Sequence, residues 1–138
     1  MAAAKVFWDT NILVDIVDGR QYELEATHSI FAMAISKEIQ LFVSEEVIAT
    51  ALYISISPNV VEAILQVLKA AEVLPSNTSI VRTALISTFK DKEDAMLYHL
   101  ALHHHVDFFI TRDKKDFAAY ASALLPVFSP AEFMTSIK

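Results

Sequence analysis

Short apolar runs alternate along this chain with longer segments in which apolar residues recur at helical spacing. Such alternation is typical of a parallel β-sheet with helices on both faces, and we therefore expect an α/β fold: a three-layer α/β/α sandwich with a parallel sheet of about five strands. The predicted strands cover residues 5–9, 39–43, 71–74, 106–111 and 125–128. The predicted helices cover residues 22–37, 59–70, 79–89 and 91–105, part of 113–124, a segment capped by Ser44 and a segment opened by Ser129 and Pro130.

The length and composition predict one folded domain. The chain has 138 residues, of which 54% are hydrophobic and 20% are charged, so residues 1–138 can bury a core of their own. The apolar runs are shorter than the roughly 20 residues of a membrane span, and no signal-peptide pattern opens the chain. Because cysteine is absent, we expect a cytoplasmic protein without disulfide or thiolate chemistry.

Two features of the composition restrict the function. Gly19 is the only glycine, which excludes the common nucleotide-binding loops, because several glycines are needed for the backbone to approach the phosphates. The formal net charge is −6, whereas proteins that hold nucleic acid through bulk electrostatics are usually basic. Binding of nucleic acid would therefore require a local basic strip or metal ions.

Aspartates recur where ligand sites of α/β sheets form. Asp9 closes the first predicted strand, Asp113 and Asp116 follow the fourth, and Asp91 and Asp94 begin the helix before the fourth. That helix starts at the carboxyl edge of the sheet in a right-handed crossover, where such sheets bind ligands. If the first and fourth strands are neighbours, these carboxylates converge in one crevice. Crowded carboxylates recruit cations, and oxygen-only sites suit Mg²⁺ or Mn²⁺, which can activate water for phosphodiester hydrolysis.

Structural roles would also explain several of these aspartates. Asp91 and Asp94 have the spacing of a helix N-cap and the third helical residue. Asp113 could cap the next helix, and Asp116 could simply be solvated. Asp9 is the hardest to explain in this way, because a lone carboxylate at the end of a buried strand is costly to desolvate.

Four segments resemble the PIN domain family of metal-dependent ribonucleases, which includes the VapC-like toxins of bacterial toxin–antitoxin pairs. The segments are FWDTNILVD, LFVSEEVIATAL, FKDKEDAM and ITRDKKDF. The resemblance covers nearly the whole chain and implies an α/β/α sandwich, an acid cluster that binds Mg²⁺ or Mn²⁺, and endonucleolytic cleavage of RNA. It also implies an antitoxin partner and a homodimer, for which the helix predicted at 59–70 could supply the interface.

The resemblance implies roles for particular residues. The metal ligands, and with them the catalytic acids, would be Asp9, Asp94, Asp113 and Asp116. The supporting residues would be Asn11, Ser44, Thr50, Asp91 and Thr111. Among these, Asn11 looks like the polar residue that orients a ligand, and Thr111 like the hydroxyl that steadies the cluster.

One position departs from the family's pattern. Family members usually carry a glutamate in the helix after the second strand, at the position that Thr50 occupies here. Glu45 and Glu46 lie in the first turn of that helix, which suggests that they come too early to replace it. We therefore expect one well-formed metal site rather than two.

The residues leave other interpretations open. Lys114 and Lys115 could hold a phosphate near the metal, or form a solvated surface pair. A phosphotransfer domain also places aspartates at strand ends, but Asn11 stands where a haloacid-dehalogenase-like phosphatase needs its second aspartate, and the paired acids of a receiver are absent. A PIN fold that only binds RNA or protein is a further alternative, because Thr50 replaces an acid.

Overall fold

The strands of the protein form one parallel sheet. The computed structural model describes residues 2–138. The strands are β1 (Ala4–Trp8), β2 (Ile39–Ser44), β3 (Ala71–Leu74), β4 (Phe108–Ile110) and β5 (Val127–Phe128). All pairings are parallel, and the order across the sheet is β3-β2-β1-β4-β5. The strand order reverses at β1, and β1 and β4 are neighbours, which is the condition under which the predicted carboxylates converge.

Helices connect the strands and cover both faces of the sheet. They are α1 (Thr10–Asp18), α2 (Leu24–Ile35), α3 (Glu45–Ile54), α4 (Val60–Val67), α5 (Thr78–Ile86), α6 (Lys92–His103), α7 (Lys114–Ala118) and α8 (Pro130–Ser136). Within residues 2–138, none of the helices is long and apolar enough to cross a membrane.

The direction of the crossovers sorts the helices into two layers. The connections from β1 to β2 and from β2 to β3 run one way across the sheet, and the connection from β3 to β4 runs back. Right-handed crossovers therefore place α1 to α4 on one face and α5 and α6 on the other. In agreement, α1 packs against α2, α3 and α4, while α5 packs against α6. The predicted three-layer α/β/α sandwich is confirmed.

Bulky apolar residues fix the centre of the sheet. Val6, Phe7 and Trp8 of β1 are completely buried, as expected for a central strand that is covered on both faces. The ring of Phe7 stacks on that of Phe109 in β4, with 5.3 Å between the ring centroids. This packing holds β1 and β4 in register, and so fixes the relative positions of the residues that follow the two strands.

Side chains cap the first turns of α3, α6 and α8, which begin at the carboxyl edge of the sheet. Ser44 Oγ accepts a hydrogen bond from the Val47 backbone N–H at 3.0 Å, which caps α3. Asp91 caps α6 in the same way by accepting from the Asp94 backbone N–H at 3.1 Å. Ser129 forms a capping box at the start of α8. The predicted caps at Ser44 and Ser129 are confirmed, as is the capping interpretation of Asp91.

Helix α1 is absent from the sequence-based prediction, which assigns no element to residues 10–18. Asn11, Asp15 and Asp18 recur in it at the i, i+4 and i+7 spacing of one helix face, so the segment carries the period of an amphipathic helix, and the prediction overlooks it. Gly19 ends the helix in the left-handed conformation, with φ of 68°, which costs glycine little. The other predicted elements are present, with ends that differ by a few residues.

Candidate active site

A crevice of about 190 Å³ opens beyond the ends of β1 and β4. Its walls come from α1, α3, α6 and the segment that follows β4. The acidic residues that line it are Asp9, Glu46, Glu93, Asp94 and Asp113. The fold thus gathers carboxylates from four separate parts of the sequence at the edge where sheets of this kind bind ligands.

Asp9 is a buried carboxylate in a fixed position. It is 5% exposed, and its backbone N–H donates to the Ile110 carbonyl at the end of β4 at 2.9 Å. Thr111 Oγ1 donates to Oδ2 at 2.7 Å, and the Thr10 backbone N–H donates to Oδ1 at 2.8 Å. Burial raises the pKa of Asp9 to about 6, although both hydrogen bonds oppose the shift. The ionised carboxylate would therefore gain from a cationic partner.

Asn11 links the ends of β1 and β4. Its Nδ2 donates to Asp113 Oδ2 at 3.0 Å and lies 3.5 Å from Asp9 Oδ2. Its Oδ1 accepts from the Arg112 backbone N–H at 3.1 Å. Thr111 Oγ1 completes the network by accepting from the Asp113 backbone N–H at 3.1 Å. A neutral side chain thus holds two carboxylates of the crevice in place.

Asp94 on α6 and Glu46 on α3 are two partly buried acids that line the crevice. Burial is the main cause that raises the pKa of Asp94 to about 7, and repulsion from Asp9 and Asp91 adds to it. Burial likewise raises the pKa of Glu46 to about 7, with further repulsion from Glu93 and Asp9. Without a counter-ion, the crevice therefore retains protons near neutral pH, and a bound cation would displace them.

The position of Glu46 corrects one expectation from the sequence. The glutamates at the start of α3 were expected to lie too far from Thr50 to replace an acid there. Glu46 and Thr50 both line the crevice, because residues i and i+4 lie one above the other on the same face of a helix. Glu45 is exposed. The helical spacing alone would have identified Glu46.

Three other predicted residues lie outside the lining of the crevice. The side chains of Asp91 and Ser44 are engaged as the helix caps described above. Asp116 is exposed in the first turn of α7, yet its charge helps to raise the pKa of Asp94, so it lies within electrostatic reach of the cluster.

The predicted lysine pair lies on α7, outside the lining of the crevice. Lys114 Nζ forms an ion pair with Glu132 of α8 at 2.8 Å, and Lys115 is exposed. The cations that line the crevice are instead Arg20 and Arg112, which the sequence-based reasoning missed. The position of Arg112, between Thr111 and Asp113, was the available signal.

The donors of the crevice suit a hard divalent cation. They are carboxylates and neutral oxygen groups, the ligands that Mg²⁺ and Mn²⁺ prefer. Among residues 2–138, no three His, Asp or Glu side chains stand close enough together to form a complete metal cage. Mg²⁺ usually takes one or two carboxylates and keeps several waters, and Asp9 with a neighbouring acid fits that mode.

Two comparisons with known proteins agree with this arrangement. A family profile described as PIN domain matches residues 5–115. The chain is also similar to ribonuclease VapC1 of Aquifex aeolicus (strain VF5), with 27% identity over 122 residues that cover 83% of this chain and 85% of that protein. The range matched by the family profile contains every acidic residue that lines the crevice.

Proposed function

The chain belongs to the PIN domain family, and we propose that it is a metal-dependent endoribonuclease that hydrolyses RNA phosphodiesters. The observation that carries the proposal is the convergence of Asp9, Asp94 and Asp113 in one crevice at the carboxyl edge of the sheet. Similarity to a protein named ribonuclease VapC1 supports RNA as the substrate. The proposal includes a cytoplasmic location and the role of toxin in a toxin–antitoxin pair.

The proposed metal site uses the predicted aspartates. Mg²⁺ or Mn²⁺ would be held by Asp9, Asp94, Asp113 and Asp116, one or two of them as direct ligands and the others through bound water, with Glu46 as an additional acid on the wall where Thr50 replaces an acid. When bound, such an ion polarises a phosphodiester oxygen and lowers the pKa of a water molecule.

The protein's own contribution is to fix these carboxylates and to control their charge. Thr111 and Thr10 engage both oxygens of Asp9, which restricts rotation of the carboxylate, and Asn11 restrains Asp113. Unneutralised, the acids would repel the phosphates of RNA. Cations that offset the charge of the crevice should therefore strengthen the binding of RNA, and cleavage should require them.

Metal binding is the first test, because it does not depend on the identity of the RNA. Calorimetry with Mn²⁺ and Mg²⁺ should show binding by the wild type that disappears in Asp9→Asn. Cleavage of total cellular RNA should then require divalent ions and stop in EDTA. An Asp9→Asn protein that cleaves RNA as well as the wild type does would contradict the proposal.

A module that binds RNA or protein without catalysis is the second candidate. It is favoured by Thr50 in place of an acid and by the lack of a complete cage among the described residues. RNA binding that survives EDTA, with no cleavage under any divalent ion, would support it. The phosphotransfer alternative would require an aspartyl-phosphate adduct, detectable by mass after incubation with acetyl phosphate.

Exposed apolar residues support the proposed protein partners. On α4, Val61 is 54% and Leu65 is 56% exposed. Tyr53 at the end of α3 and Ile56 just after it are more exposed still. We assign this surface to the proposed homodimer, with an antitoxin as the competing occupant. Light scattering of the wild type and Leu65→Glu tests the assignment, because a charge there should shift a dimer to monomer; a wild-type monomer would contradict it.

A further inference from the structure

The acidic crevice contains two arginines that do not neutralise its metal-binding acids. Arg20, from the turn after α1, and Arg112, from the segment after β4, line the crevice together with Asp9. Within the described part of the chain, their ion-pair partners are Asp18 for Arg20, at 3.4 Å, and Asp15 for Arg112, at 3.1 Å. Both cations are thus held from α1 while they face the same cavity as the acids.

Asp15 anchors Arg112 from the interior of the protein. Its side chain is completely buried; Oδ1 accepts from Arg112 Nη1, and Oδ2 has no hydrogen-bond partner within residues 2–138. Burial raises the pKa of Asp15, although the charges of Arg112 and Arg20 lower it. A buried, half-satisfied carboxylate is a poor source of stability. A role in positioning arginine side chains explains its presence better.

Two further contacts restrict the Arg112 side chain. Its guanidinium carbon lies 5.6 Å from the centre of the Tyr22 ring, a cation–π distance. Its backbone N–H is held by Asn11. The side chain is still 31% exposed. A guanidinium carries five N–H donors, of which the bond to Asp15 uses one, so donors remain available to a ligand in the crevice.

We propose that Arg112 and Arg20 form a phosphate-binding subsite that contacts an RNA phosphodiester next to the one that is hydrolysed, and that Asp15 is the positioning residue for Arg112. The inference rests on the proposed function and adds the residues that hold the substrate. Guanidinium groups match the geometry of phosphate oxygens. The pair also supplies the local basic strip that a chain of net charge −6 needs in order to bind RNA.

The test compares RNA binding by the wild type, Arg112→Ala, Arg112→Lys, Arg20→Ala and Asp15→Asn. Arg82→Ala is the matched control, because Arg82 is exposed on α5 and lies outside the crevice. The probe is a short labelled single-stranded RNA of mixed sequence. Its dissociation constant is measured by fluorescence anisotropy in EDTA over a range of salt, and cleavage of total RNA is measured separately with Mg²⁺. Thermal unfolding and Mn²⁺ calorimetry accompany each variant.

The expected result is a loss of affinity for RNA that leaves the metal site intact. Arg112→Ala should weaken RNA binding about tenfold or more and reduce the slope of log Kd against log salt by about 0.7 for the lost phosphate contact. Arg112→Lys should retain the salt slope but recover only part of the affinity, because lysine keeps the charge without the planar fork. Arg20→Ala should likewise weaken RNA binding and reduce the salt slope. Asp15→Asn should weaken binding less than Arg112→Ala, and Arg82→Ala should match the wild type.

Two outcomes would overturn the inference, and they differ in what they imply. If Arg112→Ala binds RNA with the Kd and salt slope of the wild type and only melts at a lower temperature, Arg112 is merely the counter-ion of Asp15, and the ribonuclease proposal stands. If the wild type neither binds nor cleaves RNA, the proposed function fails, and the subsite fails with it.

Discussion

Thr111 Oγ1 donates a 2.7 Å hydrogen bond to Oδ2 of Asp9, across 102 positions of sequence. The same hydroxyl oxygen accepts from the Asp113 backbone N–H and, at 3.4 Å, from Asn11 Nδ2, so it donates one hydrogen bond and accepts two at the junction of β1 and β4. The bond to Asp9 also opposes the rise in pKa that burial causes. One hydroxyl thus helps to orient a buried carboxylate and to keep it ionised.

Removal of this hydroxyl should weaken the metal site. Thr111→Val keeps the shape of the side chain but leaves Asp9 Oδ2 without its closest donor. We expect divalent-ion affinity to fall roughly 10- to 100-fold, the usual effect of losing a residue that orients a ligand. Calorimetry with Mn²⁺ measures the change, and Thr111→Ser, which retains the hydroxyl, should stay near the wild type. Equal affinity in the valine and serine variants would contradict this prediction.

Two adjacent glutamates at the start of α3 provide a matched pair. Glu46 lines the crevice, whereas Glu45 is exposed. Glu46→Gln should lower Mn²⁺ affinity about tenfold, while Glu45→Gln, which removes the same charge one residue away, should change it little. If both variants bind Mn²⁺ like the wild type, Glu46 does not compensate for Thr50, and the site relies on the aspartates alone.

The pKa shifts predict how the stability of the metal-free protein depends on pH. Burial raises the pKa of Asp9 to about 6, and those of Asp94 and Glu46 to about 7, above their ordinary values of 3.8 for aspartate and 4.5 for glutamate. Between about pH 4 and 7 the folded state therefore binds more protons than the unfolded state. These three groups stabilise the fold most below about pH 4, and that contribution is lost as the pH rises through 6 and 7.

Thermal unfolding in EDTA and in Mg²⁺ checks this dependence. The rise in Tm caused by Mg²⁺ should grow from pH 5 to pH 8, because protons compete with the ion at low pH. In EDTA, Asp94→Asn should lose less stability than the wild type over the same interval, since it removes one of the shifted groups. A Mg²⁺ effect that is the same at every pH would be the contrary result.

Tyr98 provides a prediction on stability alone. Its hydroxyl is buried, donates to the Leu125 carbonyl at 2.7 Å and accepts from the Ser122 backbone N–H at 2.7 Å. Tyr98→Phe leaves these backbone groups without their partner and should reduce the free energy of unfolding by about 1–3 kcal/mol, seen as a Tm lower by several degrees. A Tyr98→Phe protein that unfolds with the Tm of the wild type would contradict this prediction.

The parallel sheet and its strands could be predicted because they depend on apolar runs that the sequence shows directly, whereas these runs do not set the order of the strands. A strand such as β1, which is buried on both faces, consists of consecutive apolar residues. Helix caps such as Ser44 mark where helices begin. Helix α1 could have been predicted as well, because Asn11, Asp15 and Asp18 recur at helical spacing, but it directly follows the apolar run of β1 and was overlooked.

The aspartates of the crevice could be located from topology, but its arginines could not. Asp9 and Asp113 each follow a strand, and the carboxyl ends of parallel strands lie at the same edge of the sheet. Arg112 reaches the crevice because Asp15, on a helix that was not foreseen, holds it there. Lys114 looked equally suitable in the sequence, yet Glu132 of α8 pairs with it instead. Such partners are set by tertiary packing, which local patterns do not encode.

The order of the strands has a consequence for how the protein is made. β1 is synthesised first, but its neighbour on the crevice side is β4, which follows residue 107. A nascent chain can form parts of the N-terminal half early, yet it cannot place Thr111 and Asp113 beside Asp9 until most of the protein has left the ribosome. A chain that is proposed to cut RNA therefore cannot complete its acidic crevice before its own translation is nearly finished.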